Sequence, residues 1–252
     1  MTTKEETGPV YEEALTIGSS HVNVNRILRT STLLRLLQDI STAQTEMLGV
    51  RRDKTLDRGL LWVVSRQYLE ISRMPAYGEQ VLLSTEPSKI MHLFFPRFYY
   101  VCGALGEQLI SGEALWLLMK EDTRTAVVPP PADIRISGVR KATHVLSGSL
   151  RPPEGLHLLG ESTYCARFSQ LDFNGHIGNT HYFDIIEDLL PAADTANTPK
   201  KIQAEYRAEI LPGEEIRILF SSDGDRLRYF EGISEDTEDS TPKIRFRILL
   251  SY

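Results

Sequence analysis

Apolar residues recur every three or four positions in two stretches of the chain, residues 22–40 and 171–191. The stripes are Leu33, Leu37 and Ile40 in the first stretch, and Tyr182, Ile186 and Leu189 in the second. This period places the apolar side chains on one face of an α-helix, so we expect one amphipathic helix in each stretch. Asn179 or Thr180 is a suitable N-cap for the second helix, and Pro191 is expected to end it.

Segments rich in β-branched and aromatic residues follow each helix and predict strands. In the first half they are residues 60–71, 80–86, 90–101 and 108–119, and in the second half residues 202–210, 215–221, 226–233 and 243–252. One further strand is expected before each helix, at residues 11–17 and 162–168. The shared order of elements predicts an α+β fold in which each half wraps an antiparallel sheet around a central helix.

A Pro-, Gly- and Ser-rich stretch at residues 128–155 separates the two halves and is typical of a linker. We therefore divide the chain into an N-terminal domain at residues 1–130, a linker at 131–156 and a C-terminal domain at 157–252. The halves align without a gap at an offset of 149 residues, which places residues 22–40 over 171–189. This common plan favours a duplication within the chain, with the two sheets paired.

The two copies differ in the polar loop before the helix. The second copy carries three side chains capable of catalysis at alternate positions, Asp172, Asn174 and His176. The corresponding residues of the first copy are Asn23, Asn25 and Ile27. Because the first copy lacks both the carboxylate and the imidazole, we expect one active site per chain, in the second half.

Charge and composition narrow the class of partner. Residues 1–150 carry 17 Lys and Arg against 16 Asp and Glu, whereas residues 151–252 carry 11 against 18, within a net charge of −6. The acidic second half argues against a nucleic-acid partner. The cluster Arg51, Arg52, Lys54 and Arg58 is either a docking surface for an acidic partner or a solvated face.

The remaining composition indicates a protein of the cytoplasm without a membrane partner. The first residues lack an apolar signal sequence, and no apolar run is long enough to span a bilayer. Two cysteines, Cys102 and Cys165, fit a reducing compartment better than a disulfide framework. Residues 234–242 are acidic and are expected to form a solvated loop. His176 and His181 lack the further ligands of a zinc site, so neither a metal nor another cofactor is expected.

The combination of four segments resembles the acyl-ACP thioesterases, the plant and bacterial enzymes that end fatty-acid synthesis. The segments are LLWVVSRQYLEISRMPAYGEQV at 60–81, GEALWLLMKEDTRTAVVPPP at 112–131, LDFNGHIGNTHYFDIIEDLLP at 171–191 and EYRAEI at 205–210. The resemblance covers nearly the whole chain and implies a tandem of two hot-dog domains. It also implies hydrolysis of fatty acyl-ACP to free fatty acid and acyl carrier protein.

The resemblance implies a catalytic network of Asp172, Asn174, His176 and Glu209. The plant enzymes usually place a cysteine directly after the glutamate, but this chain has Ile210 there, so a thiol nucleophile at that position is excluded. Cys165 is outside the family's motif and is expected to be a small buried hydrophobic residue.

The chemistry of thioester hydrolysis suggests a role for each network residue. We expect Glu209, on a strand facing the helix, to act as general base on a water, with direct attack by its carboxylate as the alternative. His176 would share the proton or orient the water, and Asn174 would hold the water or the thioester oxygen. Asp172 would fix one of these side chains, although a simple turn-forming role is also open.

Two further sets of residues complete the predicted site. Backbone N–H groups of Gly178 and Asn179, at the start of the helix, are the expected oxyanion donors. Leu33 and Leu37 on the first helix, with Trp62 and Trp116 on strands, are candidate linings of an acyl tunnel in the first domain, although core packing explains them equally well.

Alternative functions stay open at this point: an acyl-CoA thioesterase of the hot-dog class, or a non-catalytic protein that binds acyl thioesters. Self-association as a homodimer is also open, and the sequence gives neither the acyl chain length nor the preference for ACP over CoA.

Overall fold

The computed structural model describes residues 9–235 and 242–252. The helices are α1 (Thr30–Met47), α2 (His181–Glu187) and α3 (Ala192–Thr195). The strands are β1 (Tyr11–Thr16), β2 (Leu60–Ile71), β3 (Gln80–Pro87), β4 (Phe94–Gly103), β5 (Gln108–Lys120), β6 (His157–Cys165), β7 (Lys201–Tyr206), β8 (Glu215–Ser222), β9 (Leu227–Glu235) and β10 (Pro242–Ser251). Most of the predicted acidic loop, residues 236–241, lies outside the described residues, as do the first eight residues.

All ten strands form one antiparallel sheet in the order β1-β3-β4-β5-β2-β7-β10-β9-β8-β6. The halves meet at its centre, where β2 pairs with β7 from Arg66↔Glu205 to Glu70↔Lys201. The predicted pairing of the two sheets within one chain is therefore confirmed. Because β2 and β7 are both central strands, their edges are satisfied by each other rather than by a second molecule.

Helix α1 buries the predicted apolar stripe against the sheet of the first half. Leu33, Leu37 and Ile40 are almost completely buried in the main hydrophobic core. The helix ends at Met47, and Gly49 follows it with a φ of 79°, a left-handed conformation that favours glycine after a helix. This long helix agrees with the sequence pattern.

The predicted long helix of the second half is wrong in its extent. Helix α2 ends at Glu187, and a separate short helix, α3, starts at Ala192. Pro191 has no N–H to donate to the Glu187 carbonyl and disfavours the helical conformation at Leu190, so the helix ends before the proline. The apolar stripe remains in place, since Tyr182 and Ile186 are buried.

Two strand predictions need correction as well. Residues 90–93 form a turn, in which His92 has a φ of 54°, so β4 begins at Phe94. Strand β7 ends at Tyr206 rather than at residue 210. Glu209 therefore lies in a loop beyond the strand, and the expectation of a strand carboxylate facing the helix is wrong.

The loops at 22–28 and 171–177 share one backbone conformation. Val22 bridges Leu28 in the first, and Leu171 bridges Ile177 in the second. Asn23 N–H donates to the Ile27 carbonyl at 2.9 Å, as Asp172 N–H does to the His176 carbonyl at 2.9 Å. The offset of 149 residues therefore relates equivalent hydrogen bonds, which supports the duplication.

The connection between the halves contains neither helix nor strand from Glu121 to Leu156. It is held by Glu113 on β5, whose carboxylate accepts the backbone N–H groups of Thr143, His144 and Val145 at 2.7 to 3.3 Å. Among the described residues, no helix combines the length and apolar character needed to cross a bilayer.

Candidate active site

The loop at 171–177 turns sharply around Asp172. Its Oδ1 accepts the Asn174 N–H at 2.8 Å, and its Oδ2 lies 3.4 Å from Asn174 Nδ2. Because an ionised carboxylate only accepts hydrogen bonds, it faces the NH₂ end of the Asn174 amide and leaves Oδ1 of that amide on the other side. Asp172 therefore forms the turn and also orients Asn174, which combines the two roles considered for it.

Glu209 and His176 come together from separate parts of the second half. Glu209 Oε1 lies 3.3 Å from His176 Nε2, and Asp172 Oδ2 lies 3.7 Å from His176 Nδ1. The imidazole is thus between two carboxylates. The three side chains are only 12 to 24% exposed, so their charges act in partly desolvated surroundings. All four residues of the predicted network meet at one place.

Arg124 is a fifth member of this cluster that the sequence did not reveal. It lies in the turn after β5, with a φ of 53°. Its Nη1 donates to Glu209 Oε1 at 3.2 Å, and its Nη2 donates to the Asn174 carbonyl at 3.2 Å. The guanidinium thereby ties the catalytic loop and the Glu209 loop to the first half. The only sequence signal was its position in the segment 112–131, which gives no hint of this contact.

Three buried polar atoms lack a hydrogen-bond partner among the described residues: Asn174 Oδ1, His176 Nε2 and Asn179 Nδ2. The 3.3 Å approach of His176 Nε2 to Glu209 is close in distance but is not a hydrogen bond in its geometry. Their residues line one cavity of about 210 Å³, together with Glu209. We call it the His176 cavity. An unpaired buried polar group costs free energy, so three around one cavity indicate a binding site for a polar ligand.

The predicted backbone oxyanion donor at Gly178 is unavailable. Its N–H already donates to the Gln170 carbonyl at 3.0 Å. This bond closes the loop ahead of α2, which begins only at His181. The Asn179 side chain provides a donor in its place, because its Nδ2 is buried, unpaired and in the wall of the His176 cavity.

A second cavity of about 170 Å³ adjoins the first and shares four wall residues with it: Gln38, Trp62, Trp116 and Phe173. We call it the Arg97 cavity, after the arginine in its wall. Trp62 and Trp116 therefore lie where a tunnel lining was predicted. Leu33 and Leu37 do not, since both are at most 1% exposed in the main core and belong to neither wall. Polar residues of α1 face the cavities instead.

Two tyrosines at the back of the His176 cavity stay neutral. Burial raises the pKa of both Tyr182 and Tyr206 above the ordinary value. Tyr206 donates its hydroxyl to Gln67 Oε1 at 2.8 Å, and its ring stacks on Tyr182 with a centroid distance of 5.6 Å. They serve as a fixed wall rather than as titrating groups.

Neither cysteine takes part in the site. Cys165, expected to be buried, is exposed at the end of the edge strand β6. Across the described parts of the chain, no group of three or more His, Cys, Asp or Glu side chains is arranged to hold a metal ion.

Comparison with known proteins agrees with the resemblance of the motifs. The family model for the acyl-ACP thioesterase N-terminal domain matches residues 8–134, and the model for the C-terminal domain matches residues 158–248. The oleoyl-acyl carrier protein thioesterase 2 of Arabidopsis thaliana is 24% identical over 86% of this chain and 64% of its own length. The chain thus spans less than two thirds of the curated relatives it matches first.

Solved structures share the fold over almost the whole chain. A putative oleoyl thioesterase from Lactobacillus plantarum has a TM-score of 0.79 at 23% identity, covering 96% of this chain and 95% of that one. The 12:0-ACP thioesterase from Umbellularia californica has a TM-score of 0.77 at 18% identity, with 96% of each chain covered. This likeness confirms the predicted tandem hot-dog fold of class α+β. With both domain models matched, the chain belongs to the acyl-ACP thioesterase family.

Proposed function

We propose that this protein is an acyl-ACP thioesterase, which hydrolyses fatty acyl-ACP to a free fatty acid and acyl carrier protein. The observation that carries the proposal is the group of buried, unpaired atoms of Asn174, His176 and Asn179 around a cavity that also contains Glu209. Family membership and the names of the relatives support the substrate class.

The geometry suggests how water attacks the thioester. Asn174 Oδ1 and His176 Nε2 accept the hydrogen bonds of a water in the cavity, and Glu209 removes one of its protons. The water oxygen bonds to the carbonyl carbon, and the carbonyl electron pair moves onto its oxygen. Asn179 Nδ2 donates to that developing oxyanion in place of the backbone donors expected from the sequence.

Collapse of the tetrahedral intermediate then breaks the carbon–sulfur bond. The sulfur leaves as a thiolate and takes up the proton that Glu209 removed from the water. A thiol is acidic enough, with a pKa of about 8.5, to leave without a strong general acid. Arg124 counters the negative charge of Glu209 in the resting site and keeps its carboxylate beside His176.

The direct test is Glu209→Gln, which keeps the shape of the side chain but cannot accept a proton. We expect kcat on acyl-ACP to fall by about 10² to 10⁴-fold while binding of the substrate changes little. The matched control is Glu161→Gln, since Glu161 is an exposed carboxylate on β6 far outside the cavity walls. Retention of more than a tenth of the wild-type rate by folded Glu209→Gln would exclude the general-base role.

Direct attack by the Glu209 carboxylate is the alternative mechanism. A single turnover in ¹⁸O-labelled water separates the two: attack by water places the label in the fatty acid alone, whereas hydrolysis of an anhydride also places it in Glu209. Mass spectrometry of the peptide that contains Glu209 decides between them.

The carrier protein is proposed as the partner because basic side chains surround the entrances. Arg207 lines the His176 cavity, and Arg51 lines the Arg97 cavity. Part of the predicted basic cluster is already neutralised, however, by the ion pairs of Arg52 with Asp57 and of Arg58 with Asp133. Rates on ACP and CoA thioesters of the same acyl chain test this proposal, and equal rates would favour the acyl-CoA thioesterase.

A non-catalytic binder is the second alternative, and the complete set of polar groups around the cavity argues against it. The expected cytoplasmic location is also a proposal, which the two free thiols support and cell fractionation tests. Self-association stays a prediction that sedimentation measurements can decide.

A further inference from the structure

The two halves each bury one arginine at equivalent places in the sheet. Arg97 on β4 pairs with Pro87 on β3, and Arg228 on β9 pairs with Ser222 on β8. Gly78 and Gly213 begin the equivalent strands β3 and β8 with the same backbone bond, to Ile17 and Ala166 respectively. The 135-residue step between these glycines also relates Pro87 to Ser222, so the two arginines correspond. They are 5% and 9% exposed.

In the second half this arginine has a complete counter-ion. Arg228 Nε lies 2.6 Å from Asp194 Oδ2, and its Nη2 lies 3.0 Å from Asp194 Oδ1. The bidentate pair compensates the loss of hydration of both charges. The hydrogen bond with Asp194 raises the pKa of Arg228.

In the first half the aspartate is replaced by a threonine. The offset of 149 residues carries Thr45 onto Asp194, and Arg97 Nη2 donates to Thr45 Oγ1 at 3.3 Å. Its Nη1 donates to Thr85 Oγ1 at 3.2 Å. Among the described residues, no carboxylate forms an ion pair with Arg97. Burial accordingly lowers the pKa of Arg97, the opposite of the shift at Arg228.

The uncompensated charge of Arg97 faces an internal space rather than packed core. Arg97 lines the Arg97 cavity, which adjoins the His176 cavity. Trp62, in the wall common to both, has a buried Nε1 without a partner among the described residues. The α1 side of the same cavity is formed by Gln38, Ser41 and Thr42. A tunnel for a plain hydrocarbon chain gains nothing from donors of this kind, since each costs free energy when left unpaired.

We propose that the Arg97 cavity binds an acyl chain that carries an oxygen substituent remote from the thioester, whose acceptor atoms pair with Arg97 and Trp62 Nε1. This inference rests on the proposed function, because the chain enters the cavity from a thioester held at His176. The class of substrate is an acyl thioester with a hydroxyl, keto or carboxylate group in its distal part.

The test compares matched substrates within each variant. Saturated acyl-ACPs from octanoyl to hexadecanoyl are assayed beside their ω-hydroxy, ω-carboxy and mid-chain keto counterparts. For the wild type we expect kcat/KM to be about 10 to 100-fold higher for an oxygenated chain than for the plain chain of the same length. The arm with the largest preference identifies the substituent.

Two variants connect this preference to the arginine. Arg97→Met removes the donor, and Thr45→Asp installs the counter-ion of the second half, so both should bring the ratio of oxygenated to plain chain close to one. Lys141→Met is the matched control, because Lys141 is an exposed cation outside both cavity walls. Its ratio should equal that of the wild type.

Binding of the free acids to the wild type, measured by calorimetry, completes the test without variants or turnover. Equal affinity and equal kcat/KM for plain and oxygenated chains would overturn the inference and leave the thioesterase proposal standing. If no thioester is cleaved but the oxygenated acids bind more tightly, and Thr45→Asp abolishes the difference, the inference stands and the hydrolase proposal fails.

Discussion

The loops at 22–28 and 171–177 have the same backbone and different chemistry. Both close with the same bridge and the same hydrogen bonds, yet Asn23 and Ile27 occupy the places of Asp172 and His176. The residue opposite the loop differs too. Leu28 N–H donates to the Pro75 carbonyl as Ile177 N–H does to the Ile210 carbonyl. The preceding residues, Met74 and Glu209, are therefore equivalent.

This comparison separates the scaffold of the site from its reactivity. In the first half the three positions hold an amide, an aliphatic side chain and Met74, which is 7% exposed in the core. In the second half they hold the acid, the imidazole and the carboxylate that border the His176 cavity. A duplicated fold supplies two places with one geometry, and three side chains decide which of them can catalyse.

The same symmetry brings equivalent positions of the two helices together. Arg35 on α1 and Asp184 on α2 are 149 residues apart, and Arg35 Nη2 lies 2.7 Å from Asp184 Oδ2. Two identical chains related by a two-fold axis would place like charges there. Fusion of the halves into one chain permits an opposite pair at this contact.

The largest expected effect comes from giving the second loop the residue of the first. His176→Ile should lower kcat by about 10² to 10⁴-fold, because the water loses an acceptor and its proton a relay. The fold should persist, since Ile27 occupies the equivalent place in the same backbone. Hydrolysis of acyl-ACP and thermal unfolding measure the two effects. Ile27→Val is the control, and an equal loss of activity there would show that the halves are not functionally distinct.

The two buried arginines provide a smaller effect, on stability. Arg228→Met leaves Asp194 as an unpaired buried charge, so the free energy of unfolding should fall by about 3 to 5 kcal/mol. Arg97→Met removes a charge that has no carboxylate partner, and should change the free energy of unfolding by less than about 2 kcal/mol. Urea denaturation of both variants measures the difference. Equal losses would mean that Arg97 is a structural group in the way that Arg228 is.

The smallest effect concerns the left-handed residue of each loop. Gly175 has a φ of 81°, and the equivalent Arg26 has a φ of 60°. A Cβ added at Gly175 meets no atom within 4 Å, so Gly175→Ala should cost only the backbone strain, about 1 kcal/mol. Arg26→Gly should stabilise by up to about 1 kcal/mol for the same reason. Thermal unfolding reports both, and changes of the same sign would contradict the shared backbone conformation.

Much of the fold was readable because its signals are local. Leu60–Ile71 was predicted with both ends correct, and the α1 stripe of Leu33, Leu37 and Ile40 is buried as its period requires. The four network residues also came from the sequence, through a motif whose spacing is short. Boundaries failed where a neighbouring element intervened, as at Glu209, which lies beyond the end of β7.

What the sequence determined by itself was the plan of two equivalent halves and the one half that carries the chemistry. Periodicity, prolines and short motifs act over a few residues, so they are visible along the chain. Only the tertiary structure showed that Arg124 contacts Glu209, which is 85 residues away, and that Gly178 is already hydrogen-bonded. It alone showed that Arg97 lacks the counter-ion of Arg228. Such facts depend on which distant groups meet in a buried space, where each unpaired atom has an energetic cost.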